Sequence, residues 1–165
     1  MSRITPCLWF DGQAEAAAEF YTSLFPDSRI DAVSRSPADN PSTSAGEVLL
    51  VFFTLSGQRF VGVNGGPQFP FTEAVSFQVD CEDQAEVDRY WEALVEGGGS
   101  HGQCGWLKDR FGLSWQVIPR QMGDYLGGPD PDGAARAMEA MLRMGKLDIA
   151  RLREAYEGAP ALAQS

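Results

Sequence analysis

At 165 residues, with 44% apolar side chains, four Trp and ten Phe, the chain is long enough to bury a sizeable core and too apolar to be disordered. A formal charge of −10 without any Lys/Arg run excludes bare nucleic acid as a partner, because nothing would neutralise phosphates. The longest apolar run, Val48 to Leu55, has only strand length, and Met1 to Asp11 lacks the basic-then-apolar order of a secretory signal, which predicts a cytoplasmic protein with no membrane-spanning segment.

Ile4 to Phe10 is apolar and strand-length, with Pro6 suited to an edge, and Asp11-Gly12 breaks it. Gln13 to Phe25 carries Ala17, Phe20, Tyr21 and Leu24 at helical spacing, with Glu15 and Glu19 early, where the helix dipole favours acids. Pro26-Asp27 ends that helix. Arg29 to Ser36 is a weaker strand, and Ser36 to Gly46 (SPADNPSTSAG) reads as a polar, mobile loop. Glu47 to Leu55 is the strongest strand pattern, and Ser56-Gly57 turns it back into Gln58 to Val63. Asn64-Gly65-Gly66-Pro67 closes this half.

The second half repeats the first. Ala74 to Asp80 reads as a strand, and Asp83 with Glu86 three residues on forms a capping box. Val87, Tyr90, Trp91 and Leu94 supply the apolar helix face, and Gly97-Gly98-Gly99 stops it. His101, the only histidine, then sits in a Gly-rich loop and reads as solvated. Cys104 to Ile118 forms a hairpin turning at Asp109-Arg110-Phe111-Gly112, with Pro119 after it. Gln13-Ala14-Glu15 and Gln84-Ala85-Glu86 hold equivalent places, so strand, helix and hairpin recur with a period of about 70 residues. Beyond Pro119 a Gly/Pro-rich connection, with a helical turn at its start, leads to two amphipathic helices, Ala134 to Met144 and Leu147 to Tyr156. Their Met138, Met141, Leu142 and Met144 suit packing on the sheet or on a second subunit, with a partner-binding helix as the other reading.

Four stretches together resemble the PhnB-like family: CLWFDGQAEAAAEFYTSLFPDSRI, the Gly57-to-Pro67 segment with its NGGP, FTEAVSFQVDCEDQAEVDRYW, and CGWLKDRFGLSWQVIPR. That family, historically labelled 3-demethylubiquinone-9 3-methyltransferase, lies in the vicinal oxygen chelate (glyoxalase/bleomycin resistance/dioxygenase) superfamily. The resemblance runs from about Ile4 to Tyr156, the helical tail included. It implies an α+β fold of tandem βαβββ modules with cupped mixed sheets, over about residues 3–66 and 73–119, forming one domain across 1–120. A C-terminal helical extension (121–158) and a flexible tail (159–165) follow. It also implies a homodimer with a small-molecule cavity in each cupped sheet.

The superfamily's metal enzymes place His, Gln or Glu on the first and last strands of each module. Here the pattern Asp-x-x-Gly-x-x-x-Glu falls on Asp109, Gly112 and Gln116, so a weakly ligating amide replaces the carboxylate. Ala74 to Phe77 holds no ligand, strand one offers Thr5, Pro6 and Cys7, and Val61 to Asn64 offers only the amide of Asn64. No metal is therefore expected. Without a second His there is no Ser-His-Asp or Cys-His arrangement to sustain nucleophilic catalysis. Alternation puts Ser114, Gln116 and Ile118 on one face of the last strand and Leu113, Trp115 and Val117 on the other, under the helices. If Gln116 marks the cavity face, the candidate ligand-binding residues are Cys7, Trp9, Asn64, Cys104, Trp106, Lys108 and Gln116. Each has a plainer reading as core or inert thiol, and Cys7, Cys81 and Cys104 form no C-x-x-C pair.

The expected function is a metal-free, small-molecule-binding homodimer. The alternative is a metal-dependent lyase, isomerase or dioxygenase of the superfamily. The methyltransferase of the family label ranks last, because only Asp11-Gly12-Gln13 follows the first strand, with hairpins where βαβ crossovers should be.

Overall fold

A computed structural model describes residues 3–158, and the chain divides into two compact units, Met1–Phe71 and Thr72–Ser165. In the first unit the elements are β1 (Cys7–Phe10), α1 (Ala14–Leu24), β2 (Arg29–Arg35), β3 (Val48–Leu55) and β4 (Gln58–Asn64). They form one mixed sheet ordered β1-β4-β3-β2, with β1 parallel to β4 and the other pairs antiparallel. The sheet begins at Cys7 rather than Ile4. Pro6 has no N–H to give, although its carbonyl accepts a bond from Val61. Ser56 and Gly57 both take positive φ (44° and 82°), the backbone twist that a two-residue hairpin requires.

Cross-strand partners share a side of the sheet, so the register sorts the faces. Leu8, Phe10, Val51, Phe53, Leu55 and Phe60 lie beneath α1 with Ala14, Ala17, Ala18, Phe20 and Tyr21, all buried. The alanines bring the helix close: a Cβ built on Gly62 would already meet that of Ala14 at 3.2 Å. The 36–46 segment, expected to be mobile, is instead knitted by its own side chains. Asn40 donates to the hydroxyls of Ser36 and Thr43 (2.8 and 2.7 Å) and accepts from the backbone of Ser42 and Thr43, and Ser36 and Thr43 are buried.

The second unit repeats the plan with β5 (Ser76–Cys81), α2 (Gln84–Ala93), β6 (Ser100–His101), β7 (Trp106–Lys108) and β8 (Ser114–Pro119), ordered β5-β8-β7-β6 with β5 parallel to β8. The capping box is realised with a one-residue offset. Asp83 accepts from the Glu86 amide at 2.9 Å, while Glu86 reaches back to the amide of Glu82 at 3.0 Å. Phe77, Leu107, Trp115 and Val117 occupy the sheet face that meets Val87, Tyr90 and Trp91 of α2. His101 is exposed, as its Gly-rich setting predicts, but it belongs to a short strand rather than a loop. It lies in β6, with its ring stacked on Trp91 (centroids 4.5 Å apart, 4° between planes) and Nε2 bonded to the Trp91 carbonyl.

Three helices complete this unit: α3 (Met122–Leu126), α4 (Pro131–Met141) and α5 (Ile149–Glu157). The second of these starts earlier than its apolar spacing predicts, because Asp130 caps it and Pro131 suits the first helical position. Asp148 caps α5 in the same way. Met122, Met144, Leu147 and Leu152 make a buried cluster that takes in Ile118 of β8. Gln84 fastens the tail to the start of α2, donating to the Leu147 carbonyl and accepting from the Ile149 amide. The expected flexible tail at 159–165 lies outside the described residues. No helix among the described residues is long and apolar enough to cross a membrane.

Candidate functional site

In the second unit, the sheet face turned away from α2 carries the polar chemistry. Its register brings residues from all four strands into line. Ser76 of β5 lies opposite Ser114 of β8, Ser114 opposite Lys108 of β7, and Lys108 opposite Ser100 of β6. The next row runs Gln78, Gln116, Trp106. Trp106, Lys108 and Gln116 are thus brought together on one face, all half-buried. A concavity of about 270 Å³ opens there, its lining including Glu73, Ser100, His101, Trp106, Lys108 and Ser114.

Within this pocket Lys108 forms an ion pair with Glu73, whose carboxyl is held below its usual range chiefly by the hydrogen bond from the Lys108 ammonium. Gln116 donates to the Ser76 hydroxyl at 2.9 Å, and Gln78 donates to Asp80 at 2.6 Å. Ser114 stands apart. It is 1% exposed, and its Oγ has no hydrogen-bond partner. Such a hydroxyl costs about 1–3 kcal/mol relative to an apolar replacement.

The hairpin that presents Lys108 and Ser114 is built on Asp109, which is 3% exposed. Its Oδ1 accepts from the amides of Phe111 (2.8 Å) and Leu113 (3.1 Å), and its Oδ2 accepts from the indole of Trp115 (2.9 Å). Gly112 completes the turn at φ 86°. The Asp and Gly of the motif therefore shape the turn, and only its last position, Gln116, lies on the open face, beside Trp106 in the row next to the pocket serines.

Cys104 does not join the group. The alternation that placed it beside Trp106 fails because β7 starts only at Trp106, and Cys104 takes φ 56° in the preceding turn. There its amide donates to the Met144 carbonyl and its thiol lies 3.6 Å from the Met141 carbonyl, against the C-terminal helices.

The first-unit candidates divide between faces. Cys7 and Trp9 lie on the face away from α1, in register with Val61, Val63, Leu50 and Phe52. Trp9 is held rather than free to grip a ligand: its indole donates to the Gly66 carbonyl at 2.7 Å and packs edge-on against Phe69 at 5.0 Å. Cys7 is exposed, and partial burial raises its thiol pKa. Asn64 faces the other way. It is 5% exposed, accepts from the Ala14 amide at the start of α1 and donates to the Val48 carbonyl, so it caps a helix instead of lining a cavity.

Sequence reasoning passed over the serines. Alternation does place Ser114 beside Gln116, but a Ser in a strand carries no chemical signal. Only the register shows two of them flanking one lysine, with a third in the same row. Among the described residues no three His, Cys, Asp or Glu side chains converge as metal ligands. The donors on the face around Gln116 are two amides, hydroxyls and the single carboxylate of Asp80, with no imidazole, a poor set for a tightly held divalent ion.

The family model described as 3-demethylubiquinone-9 3-methyltransferase matches residues 2–118. The match thus ends short of the helical tail, which the resemblance in sequence had taken in. Among solved structures, a PhnB protein from Bacillus cereus, bearing that same methyltransferase description, is 36% identical, with a TM-score of 0.64 over 72% of this chain and 99% of its own. A Pseudomonas aeruginosa protein is 22% identical over 72% of this chain and 98% of its own, with a TM-score of 0.58. The fosfomycin resistance protein FosX from Mesorhizobium loti shares the fold at 15% identity and a TM-score of 0.50, over 70% of this chain and 89% of its own. No curated protein matches significantly.

Proposed function

The chain belongs to the PhnB-like family labelled 3-demethylubiquinone-9 3-methyltransferase, with glyoxalase/bleomycin resistance/FosX structural neighbours, and on that premise we propose that it is a metal-independent, cytoplasmic, small-molecule-binding homodimer. The observation that supports this reading is the second unit's open sheet face. There Trp106 lines a pocket of about 270 Å³ together with Lys108 and Ser114, and its cross-strand neighbour Gln116 puts an amide on the same face where the family pattern has a carboxylate. An indole wall with a few convergent polar groups suits a small planar or amphipathic molecule. Dimerisation is supported by the half-exposed apolar strip of Leu50, Phe52, Val61 and Val63 on the first unit's open face, and by the exposed Met138 and Leu142 of the tail. Three free thiols suit a reducing compartment.

Methyl transfer, as the label would have it, finds little support. Each unit has a single parallel strand pair and a helix without a Gly-rich phosphate turn, whereas a nucleotide-cofactor fold needs a series of βαβ units. The metal-dependent enzyme reading would draw on Gln116, Gln78 and Asp80, which share the open face.

Native mass spectrometry and elemental analysis of the dialysed protein separate the two. The expected result is a dimer at micromolar concentration that carries less than a tenth of an equivalent of metal. Stoichiometric Mn, Fe, Ni or Zn would replace the binding reading with the enzyme one, and a monomer by light scattering would remove the homodimer.

A further inference from the structure

The row Ser76, Ser114, Lys108, Ser100 spans all four strands of the second sheet on one face, with the hydroxyls of Ser114 and Ser100 on either side of the Lys108 ammonium and Ser76 one strand further on. Three features of this row point to a particular kind of ligand. Ser114 is buried and its Oγ lacks any partner, although it lines the pocket. Ser76 is already committed as the acceptor for Gln116, which leaves its own hydrogen to give elsewhere. Lys108 is engaged by Glu73, a residue of the segment before β5 whose side chain is 63% exposed.

We propose that this row is the head-group site for a small oxyanion, a carboxylate or a phosphonate, and that Glu73 is its internal stand-in. The inference rests on the small-molecule reading above and adds the ligand's charge and orientation. An incoming oxyanion displaces the Glu73 carboxylate from Lys108 and accepts the hydrogen that Ser114 otherwise leaves unmatched. A neutral ligand cannot do the first of these and satisfies the second less well, since charge-assisted bonds are roughly twice as strong. The body of the ligand then lies along Trp106 and the Gln78–Gln116 pair of the next row. The exposed Glu73 carboxylate leaves without a buried charge being stranded, so the exchange of one acid for another is electrostatically balanced.

Isothermal titration with benzoate, phenylphosphonate and the neutral isostere benzamide tests the proposal on the full chain. The expected result is that one or both acids bind at least tenfold more tightly than benzamide, and comparison of the two identifies which head group fits. Glu73→Gln should tighten acid binding several-fold by freeing Lys108, and Ser114→Ala should weaken it about tenfold. Loss of the unmatched hydroxyl should leave the Ser114→Ala melting temperature unchanged or higher, so that variant is expected to fold. Benzamide binding as tightly as the acids, with loss on Trp106→Ala, would overturn the oxyanion site and leave the small-molecule reading standing. No change in acid affinity on Glu73→Gln would also overturn it. Failure of all three probes to bind would overturn the oxyanion site, while the small-molecule reading stands or falls on the native mass spectrum.

Discussion

Asp109 is the residue on which the hairpin of β7 and β8 depends, and Asp109→Asn isolates its charge with almost no change in volume. The carboxylate accepts two backbone amides on Oδ1 and the Trp115 indole on Oδ2, at 2.8 to 3.1 Å, while only 3% exposed. In the variant the amide oxygen can keep the two backbone bonds, weakened by loss of charge assistance. The amide nitrogen then faces the indole N–H, donor against donor, and flipping the amide moves the conflict to the backbone. Bonds to a charged acceptor contribute about 1.5–3 kcal/mol each, and two unmatched buried donors add a comparable penalty. Relief from burying a charge offsets part of that. The balance is a loss of about 3 kcal/mol, which for a chain of this length lowers the midpoint by about 6–12 °C. Thermal unfolding followed by near-ultraviolet circular dichroism, which senses Trp115, measures it. A midpoint within about 2 °C of the parent protein would show that the turn does not depend on the charge.

Three further outcomes follow from other parts of the structure. Gly65→Ala should destabilise by about 2–4 kcal/mol in chemical denaturation, because its Cβ would lie 2.2 Å from the Trp9 ring and displace the indole from Gly66 and Phe69. Cys81 is fully buried and its thiol is pushed up to about 12, mainly by burial and then by Glu86 and Asp80. A disulfide-exchange reagent should therefore leave it untouched until the protein unfolds. A raised folded pKa gives stability that is complete below the unfolded value near 9 and lost as the pH climbs towards 12. The parent should lose that margin over Cys81→Ala across this window, and a constant difference would refute the assignment. Trp106→Ala should weaken a pocket ligand at least tenfold while lowering stability by no more than about 2 kcal/mol, since the ring is only half-buried. Equal loss of stability with unchanged affinity would place Trp106 in the core.

The repeat was legible because its signals are local. The Asp83-to-Glu86 box, the Ser56-Gly57 turn and the aromatic spacing of α1 and α2 each depend on neighbours in sequence. What could not be read depended on backbone angles or on partners far along the chain. Cys104 was assigned to the pocket face by extending a strand two residues too far, which its left-handed turn forbids. Asn64, the last residue of β4, has a side chain whose use is fixed by the start of α1, fifty positions earlier. The stacking of the exposed His101 on Trp91 could not be read, because the strand that carries it is two residues long and Trp91 lies on the helix before it. The serine row is the extreme case, since three unremarkable residues acquire meaning only through register.

The same strand order, used twice, carries different side chains on its two open faces. In the first unit the row that begins at the first parallel pair runs Cys7, Val61, Phe52, Ala32, with no formal charge and only a thiol for polar chemistry. At the offset that relates Gln13 to Gln84, the corresponding row of the second unit is Gln78, Gln116, Trp106, and the row Ser76, Ser114, Lys108, Ser100 precedes it. The next row of the first unit, Trp9, Val63, Leu50 and Ser34, is likewise uncharged. Both sheets keep an apolar face for their helix, so the contrast is not imposed by folding. A sheet that only had to fold would gain by replacing the unpartnered Ser114 with Ala. Its presence beside Lys108 makes the second unit's open face the place to look for an acidic ligand, although the first unit's open face carries charge too, in the row Arg29, Thr54, Arg59.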